Sequence, residues 1–196
     1  MADTSPHRGC REEYVKNEPN MSFETMASQI EALQEQPCFI DFEASSLDLI
    51  CSYPIEVGVC LPDGAIHSWL LRPAPLWTDW SEEACAIHGI TRQQLQEEGV
   101  NIVDVAHALN ELLPEHVYCD AWTFDSFWLH RLFRAAKLQP AFKLESIAAL
   151  LAPQQVNNWA DTRRRAIETL GVETHRAAND AQILYTTWKM VIEQDL

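Results

Sequence analysis

The sequence has no apolar run approaching the roughly 20 residues that cross a bilayer, so no membrane-spanning helix and no membrane partner is expected. Its opening stretch, Met1 to Glu13, is polar and mixed in charge, unlike a secretory leader. It also lacks any Cys-x-x-Cys pair. Cys10, Cys38, Cys51, Cys60, Cys85 and Cys119 stand apart, with neither zinc-ligand spacing nor a small disulfide framework. Several lie in apolar runs, which suits reduced, buried thiols in a reducing, cytoplasmic compartment. Internal repeats and low-complexity segments are missing too, as is any recognisable RNA-binding motif.

Basic charge is scarce. Fourteen Lys and Arg face 29 Asp and Glu, a net charge of −15. Residues 1–120 hold 5 basic and 21 acidic residues; residues 121–196 hold 9 and 8. A uniformly acidic face repels nucleic acid and anionic lipid. A polyanionic partner must therefore be met locally, through the C-terminal half or through bound cations.

What remains is a globular chain: 196 residues, 47% apolar and 22% charged. Residues 1–20 lack periodicity and contain Pro6, Gly9 and Pro19, which predicts a flexible tail. Residues 21–36 can form an amphipathic helix with Phe23, Met26, Ile30 and Leu33 on one side. Residues 37–196 read as one α/β domain. Strands are expected at Cys38–Phe42, Tyr53–Leu61 and Ala65–Leu71, the last two joined by the Pro62-Asp63-Gly64 turn as a hairpin. Short connections make these three strands antiparallel. A helix follows Ser81 and ends at Gly89, and Thr91 with Gln94 fits a capping box. Asn101–Leu113 is amphipathic, His116–Ala121 reads as a strand, and Phe124–Ala136 as a helix. Further helices are expected over 144–151, 159–170 and 176–193.

Four carboxylates do not suit a core. Asp41 and Glu43 are two apart in a strand and so share a face, with Phe42 pointing the other way. Burying unpaired charges costs on the order of several kcal/mol each. The remedies are an Arg partner, a divalent cation, or a place just past the strand end in water. Asp125 opens an apolar helix, where the dipole alone would favour an acid. Asp180 is flanked by Ala177, Ala178 and Ala181; small residues let a helix approach a sheet, which would aim Asp180 at it. His175, five positions earlier, would lie about 140° away around a continuous helix. Both can face one site only if His175 precedes the regular helix, with Thr174 as a cap.

Taken together, these segments resemble the DEDDh family of 3′–5′ exonucleases (DnaQ-like and ribonuclease T-like members of the ribonuclease H-like superfamily). The resemblance rests on Asp41-Phe42-Glu43-Ala44-Ser45-Ser46-Leu47 with Pro54-Ile55-Glu56-Val57-Gly58 on the next strand, on His88-Gly89-Ile90-Thr91, on Trp122-Thr123-Phe124-Asp125, and on His175-Arg176-Ala177-Ala178-Asn179-Asp180-Ala181. No one segment is decisive; the four in order, over residues 37–193, carry it.

The resemblance implies a ribonuclease H-like fold: a mixed five-stranded sheet, three antiparallel strands first, flanked by helices. It implies that Asp41, Glu43, Asp125 and Asp180 hold two Mg²⁺ ions, with Mn²⁺ as a substitute. His175 would be the general base, and Ser45 and Leu47 would contact the terminal nucleotide. The implied activity is metal-dependent hydrolysis at the 3′ end of single-stranded or short DNA or RNA, releasing nucleoside monophosphates. A homodimer is one assembly found among such enzymes. The rival reading is a non-catalytic nucleic-acid-binding or adaptor module on the same fold. Two positions depart from a frequent family pattern: Asp120 stands where many members have His, and Ala121 where they have Asn. Arg131, Arg134, Lys137, Lys143, Arg163, Arg164, Arg165 and Arg176 are candidate phosphate contacts or solvated helix faces. Trp77 and Trp80 are candidate stacking platforms or core.

Overall fold

The computed structural model describes residues 36–193. The expected tail over 1–20, and all of the expected helix over 21–36 but Gln36, lie outside the described residues. Five strands form one sheet in the order β3-β2-β1-β4-β5. They are β1 (Cys38–Ala44), β2 (Pro54–Cys60), β3 (Ile66–Leu70), β4 (His116–Cys119) and β5 (Lys143–Ser146). The first three are antiparallel neighbours, whereas β4 runs parallel to β1 and β5 parallel to β4. The helices are α1 (Glu82–His88), α2 (Arg92–Glu97), α3 (Ile102–Leu112), α4 (Trp122–Ala136), α5 (Pro153–Leu170) and α6 (Ala177–Glu193).

The β2–β3 hairpin forms as its turn residues dictate. Asp63 accepts from the Ala65 amide, and Gly64 takes φ +84°, which an L side chain rarely adopts. Ser81 caps α1 through the Ala84 amide, and Gly89 ends the helix. Thr91 caps α2 through the Gln94 amide, but the capping box is only half made: Gln94 reaches forward to Glu98 instead.

The helix expected over 159–170 begins earlier, at Pro153, and one expected helix does not form. Residues 144–151 are not a helix but β5 followed by a short 3₁₀ turn, Ile147–Leu150. Leu144, Ile147, Ala148 and Leu151 have helical spacing, yet β4 offers a parallel edge that local periodicity does not reveal. The Lys143 amide joins it through the Glu115 carbonyl at 2.7 Å, and Ser146 caps the turn that follows.

The sheet separates two apolar layers. Ile40, Phe42, Val57 and Val59 pack on α3 and α4 through Leu109, Leu129, Leu132 and Phe133. Phe39 and Cys60 pack on α6 through Ala181 and Leu184. Strand alternation therefore puts Asp41 and Glu43 on the α6 side. Alpha6 comes very close there: a Cβ on Gly58, the residue paired with Asp41, would collide with the Ala177 carbonyl and the Ala178 amide. None of the five described cysteines forms a disulfide; Cys38, Cys60 and Cys119 are buried, but Cys51 is exposed on the β1–β2 loop. Among the described residues no helix is long and apolar enough to cross a membrane.

Candidate active site

The acidic residues meet at one end of the central strand. One oxygen each from Asp41, Glu43 and Asp180 lie within 4.8 Å of one another, and so do one each from Asp41, Asp120 and Asp125. Asp41 belongs to both groups. Asp125 is 1% exposed and Asp180 7%. Beta1 delivers the first pair. Alpha4 begins right after β4, so its first turn aims Asp125 back at the sheet. Phe124 and Trp128 pack beside it, their rings 5.6 Å apart. The close approach of α6 over Gly58 brings in Asp180.

Burial and mutual repulsion act on these groups together. Burial first, and then the charge of Asp120, pushes the Asp125 carboxyl up to about 7. Burial, then Asp180 and Glu56, pushes Glu43 up to about 8 against the opposing pull of Arg176. Asp41 is raised well above the carboxylate range by burial and by Asp125, Asp180 and Glu43. Burial raises Asp180 too, against the His175 amide and Arg163. Such a cluster calls for positive charge. One is built in: the Arg163 guanidinium on α5 lies 3.2 Å from Asp180 Oδ1 and 4.0 Å from Asp120 Oδ2. It does not satisfy the whole cluster, because Asp125 Oδ2 is buried with no hydrogen-bond partner. The donors are all hard oxygens, so Mg²⁺ or Mn²⁺ fits them better than a soft metal.

His175 precedes α6, as the projection argument requires, in a left-handed conformation at φ +64°. A non-glycine residue there carries strain of about 1–3 kcal/mol. Its amide donates to Asp180 Oδ2 at 2.6 Å, which holds it in place. Thr174 is not the cap. The amino end of α6 is held by carboxylates: Asp180 takes the His175 amide, and Glu56 Oε2 takes the Ala177 amide at 3.0 Å. The His175 side chain is exposed and lines an open cleft of about 370 Å³ with Glu43, Leu47, His88 and Trp128.

Glu56 is the residue that pattern reading passed over. It is 2% exposed, opposite Glu43 in the β1–β2 register, and gripped by Arg176 through two bonds of 3.1 and 2.7 Å. A lone Glu between the β-branched Ile55 and Val57 of an apolar strand was the available signal. The same fork gives Arg176, a candidate phosphate contact in the sequence, a structural partner: its guanidinium ties the loop before α6 to β2.

The two expected nucleotide contacts part ways. Leu47 is 71% exposed at the cleft mouth. Ser45 is fully buried and its hydroxyl is committed, donating to Asp79 Oδ2 at 2.8 Å and accepting from the Tyr53 amide at 3.0 Å. Ser45 thus pins the β1–β2 loop and offers no open hydroxyl to a substrate. His88 is buried with Nδ1 taking the Ile90 amide, which gives the His-Gly-Ile segment a structural task. Trp77 is buried and stacks on Tyr53; Trp80 meets His88 edge-on and lies under the Arg92 guanidinium. Other candidate phosphate contacts have partners of their own: Arg131 on the Ile50 carbonyl, Lys143 on Glu115, Arg164 on Asp161 and Arg165 on Thr162.

No protein-family profile matches the sequence, and no curated protein matches it. Solved structures do. E. coli exonuclease I in complex with a dA16 oligonucleotide superposes with a TM-score of 0.58 at 16% identity, over 81% of this chain and 41% of that one. The zinc-bound E. coli exonuclease I–single-stranded DNA complex gives 0.58 at 17%, over 82% and 41%. The moderately thermophilic exonuclease I of Methylocaldum szegediense gives 0.59 at 19%, over 80% and 40%. The chain thus spans about two fifths of the length of the exonuclease I chains it matches. Identity this low speaks for architecture alone: the chain has the ribonuclease H-like α/β fold seen in exonuclease I, its five strands ordered β3-β2-β1-β4-β5.

Proposed function

We propose that this chain is a metal-dependent 3′–5′ exonuclease that releases nucleoside monophosphates from single-stranded or short nucleic acid. The observation that carries the reading is the convergence of Asp41, Glu43, Asp125 and Asp180, from three separate stretches of the chain, with a buried and unpartnered oxygen on Asp125. These four carboxylates would hold two Mg²⁺ ions, whose charge offsets theirs. When bound, such ions stabilise charge on the phosphoryl and leaving oxygens and lower the pKa of water.

The chain's own residues supply the rest. Glu43 and His175 line the same cleft, so an imidazole nitrogen of His175 can take the proton of an attacking water while the phosphate lies against the acids. Asp180 fixes the loop that carries His175 through its amide. Leu47, exposed and lining the same cleft, can pack under the terminal base. The negative surface then makes sense, since the polyanion is drawn by cations held in the site rather than by a basic groove. The oligonucleotide complexes of exonuclease I support a nucleic-acid substrate on this fold.

The test is digestion of end-labelled single-stranded DNA, single-stranded RNA and a dinucleotide, with and without Mg²⁺. Stepwise Mg²⁺-dependent release of monophosphates from the 3′ end is expected. Binding without hydrolysis would favour an adaptor module instead, a reading that the Arg163–Asp180 pair favours by answering one ligand's charge within the protein.

A further inference from the structure

We infer that Asp120 completes a second cation-holding corner, Asp41–Asp120–Asp125, so that the chain holds two divalent cations by its own side chains before any nucleic acid arrives. The inference rests on the proposed nuclease reading and deepens it at a position where this sequence departs from the pattern it resembles.

Three observations meet at Asp120. Its carboxylate, at the β4–α4 junction, lies within 4.8 Å of oxygens on Asp41 and Asp125. Beside it, Asp125 Oδ2 is buried without a partner on a residue that is 1% exposed, a polar atom that asks for a ligand. The Arg163 Nε lies 4.0 Å from Asp120 Oδ2, too far for a hydrogen bond, and is itself buried and unpartnered. Asp120 is therefore not tied up by its only cationic neighbour among the described residues.

Charge decides what the extra acid does. Asp41, Glu43, Asp125 and Asp180 carry −4, and two divalent cations would cancel that; Arg163 would then leave the site with surplus positive charge that opposes the second ion. Asp120 offsets Arg163. Five carboxylates and one guanidinium make −4, the charge that two divalent cations neutralise. A third carboxylate also gives the Asp41–Asp125 corner as many acidic donors as the Asp41–Glu43–Asp180 corner.

The test is a calorimetric Mn²⁺ titration of the full chain at pH 8 without nucleic acid, for the native protein, Asp120→Asn, and Asp104→Asn as a control on α3. Circular dichroism checks folding; Asp120 is partly exposed and the change is isosteric. Native protein and control should bind two Mn²⁺. Asp120→Asn should keep one and bind the second at least about tenfold more weakly, since even groups that only support a ligand contribute that much. Two equally tight Mn²⁺ in Asp120→Asn, or only one in the native chain, overturns the inference. A native chain that binds no Mn²⁺ overturns the nuclease reading with it. A native chain that binds two, loses one in Asp120→Asn, and fails to digest any oligonucleotide overturns the nuclease reading alone.

Discussion

The His175 amide donates to Asp180 Oδ2 at 2.6 Å, so one carboxylate both fixes the histidine's loop and belongs to the acidic cluster. These tasks can be separated. Asp180→Asn keeps an oxygen for the amide but loses the charge. It should fold normally and lose Mg²⁺-dependent nucleotide release at least about a hundredfold. Asp180→Ala should in addition free His175 from its left-handed conformation and lower the melting temperature. Full activity of Asp180→Asn in a single-stranded oligonucleotide digest would remove Asp180 from the reaction.

Ser45 and Leu47 should respond in opposite ways. Ser45→Ala leaves the amide of buried Tyr53 without its acceptor and removes one of two hydroxyl donors from Asp79. A buried donor left unsatisfied costs about 1–3 kcal/mol, to be read from urea denaturation. Leu47→Ala removes an exposed side chain and should leave stability unchanged within about 0.5 kcal/mol, while raising KM for short oligonucleotides. A large KM effect with unchanged stability in Ser45→Ala would reverse these assignments.

Much of this was legible in the chain, and the reasons differ by residue. Asp41 and Glu43 announced themselves because strand alternation is a rigid rule and charges are rare on a face that also carries Phe39. The small residues around Asp180 foretold its direction, since only a closely packed helix needs them. Beta5 was hidden because Leu144, Ile147 and Leu151 mimic a helix and parallel pairing with β4 leaves no local mark. The anchoring of Ser45 was hidden because its motif position says nothing of Asp79, 34 residues on, which accepts its hydrogen bond. The Thr174 cap failed for a similar reason: its place is filled from β2 by Glu56, 121 residues from the amide it accepts.

The Glu56–Arg176 fork holds β2 to the loop before α6. Removing one partner of a buried pair costs about 3–5 kcal/mol. Because the Arg176 side chain is 41% exposed, Arg176→Ala should cost less, about 2 kcal/mol once solvent screening is allowed for. Glu56→Ala also strands the Ala177 amide and should cost more than Arg176→Ala. The double variant should cost less than the sum of the singles, as expected for groups in contact. Additive losses in a denaturant-unfolding cycle would show that the two side chains act independently.

The crowded acids make stability depend on pH in an unusual direction. Glu43 is held up to about 8 and Asp125 to about 7 in the metal-free fold, whereas both would ionise near 4 in the unfolded chain. Between those limits the folded state binds more protons than the unfolded one, so these groups lower stability as pH rises from about 4 to about 8. His88, whose pKa burial lowers, acts oppositely below about pH 6.5, so the acids are best isolated by difference. In chelator, Glu43→Gln should match the native protein near pH 4.5 and melt at a higher temperature near pH 8.5. Mg²⁺ should reverse that order at pH 8.5, because the native carboxylate gains a cation and the amide does not. Equal melting temperatures at both pH values in chelator would mean that Glu43 is not under the strain of its neighbours.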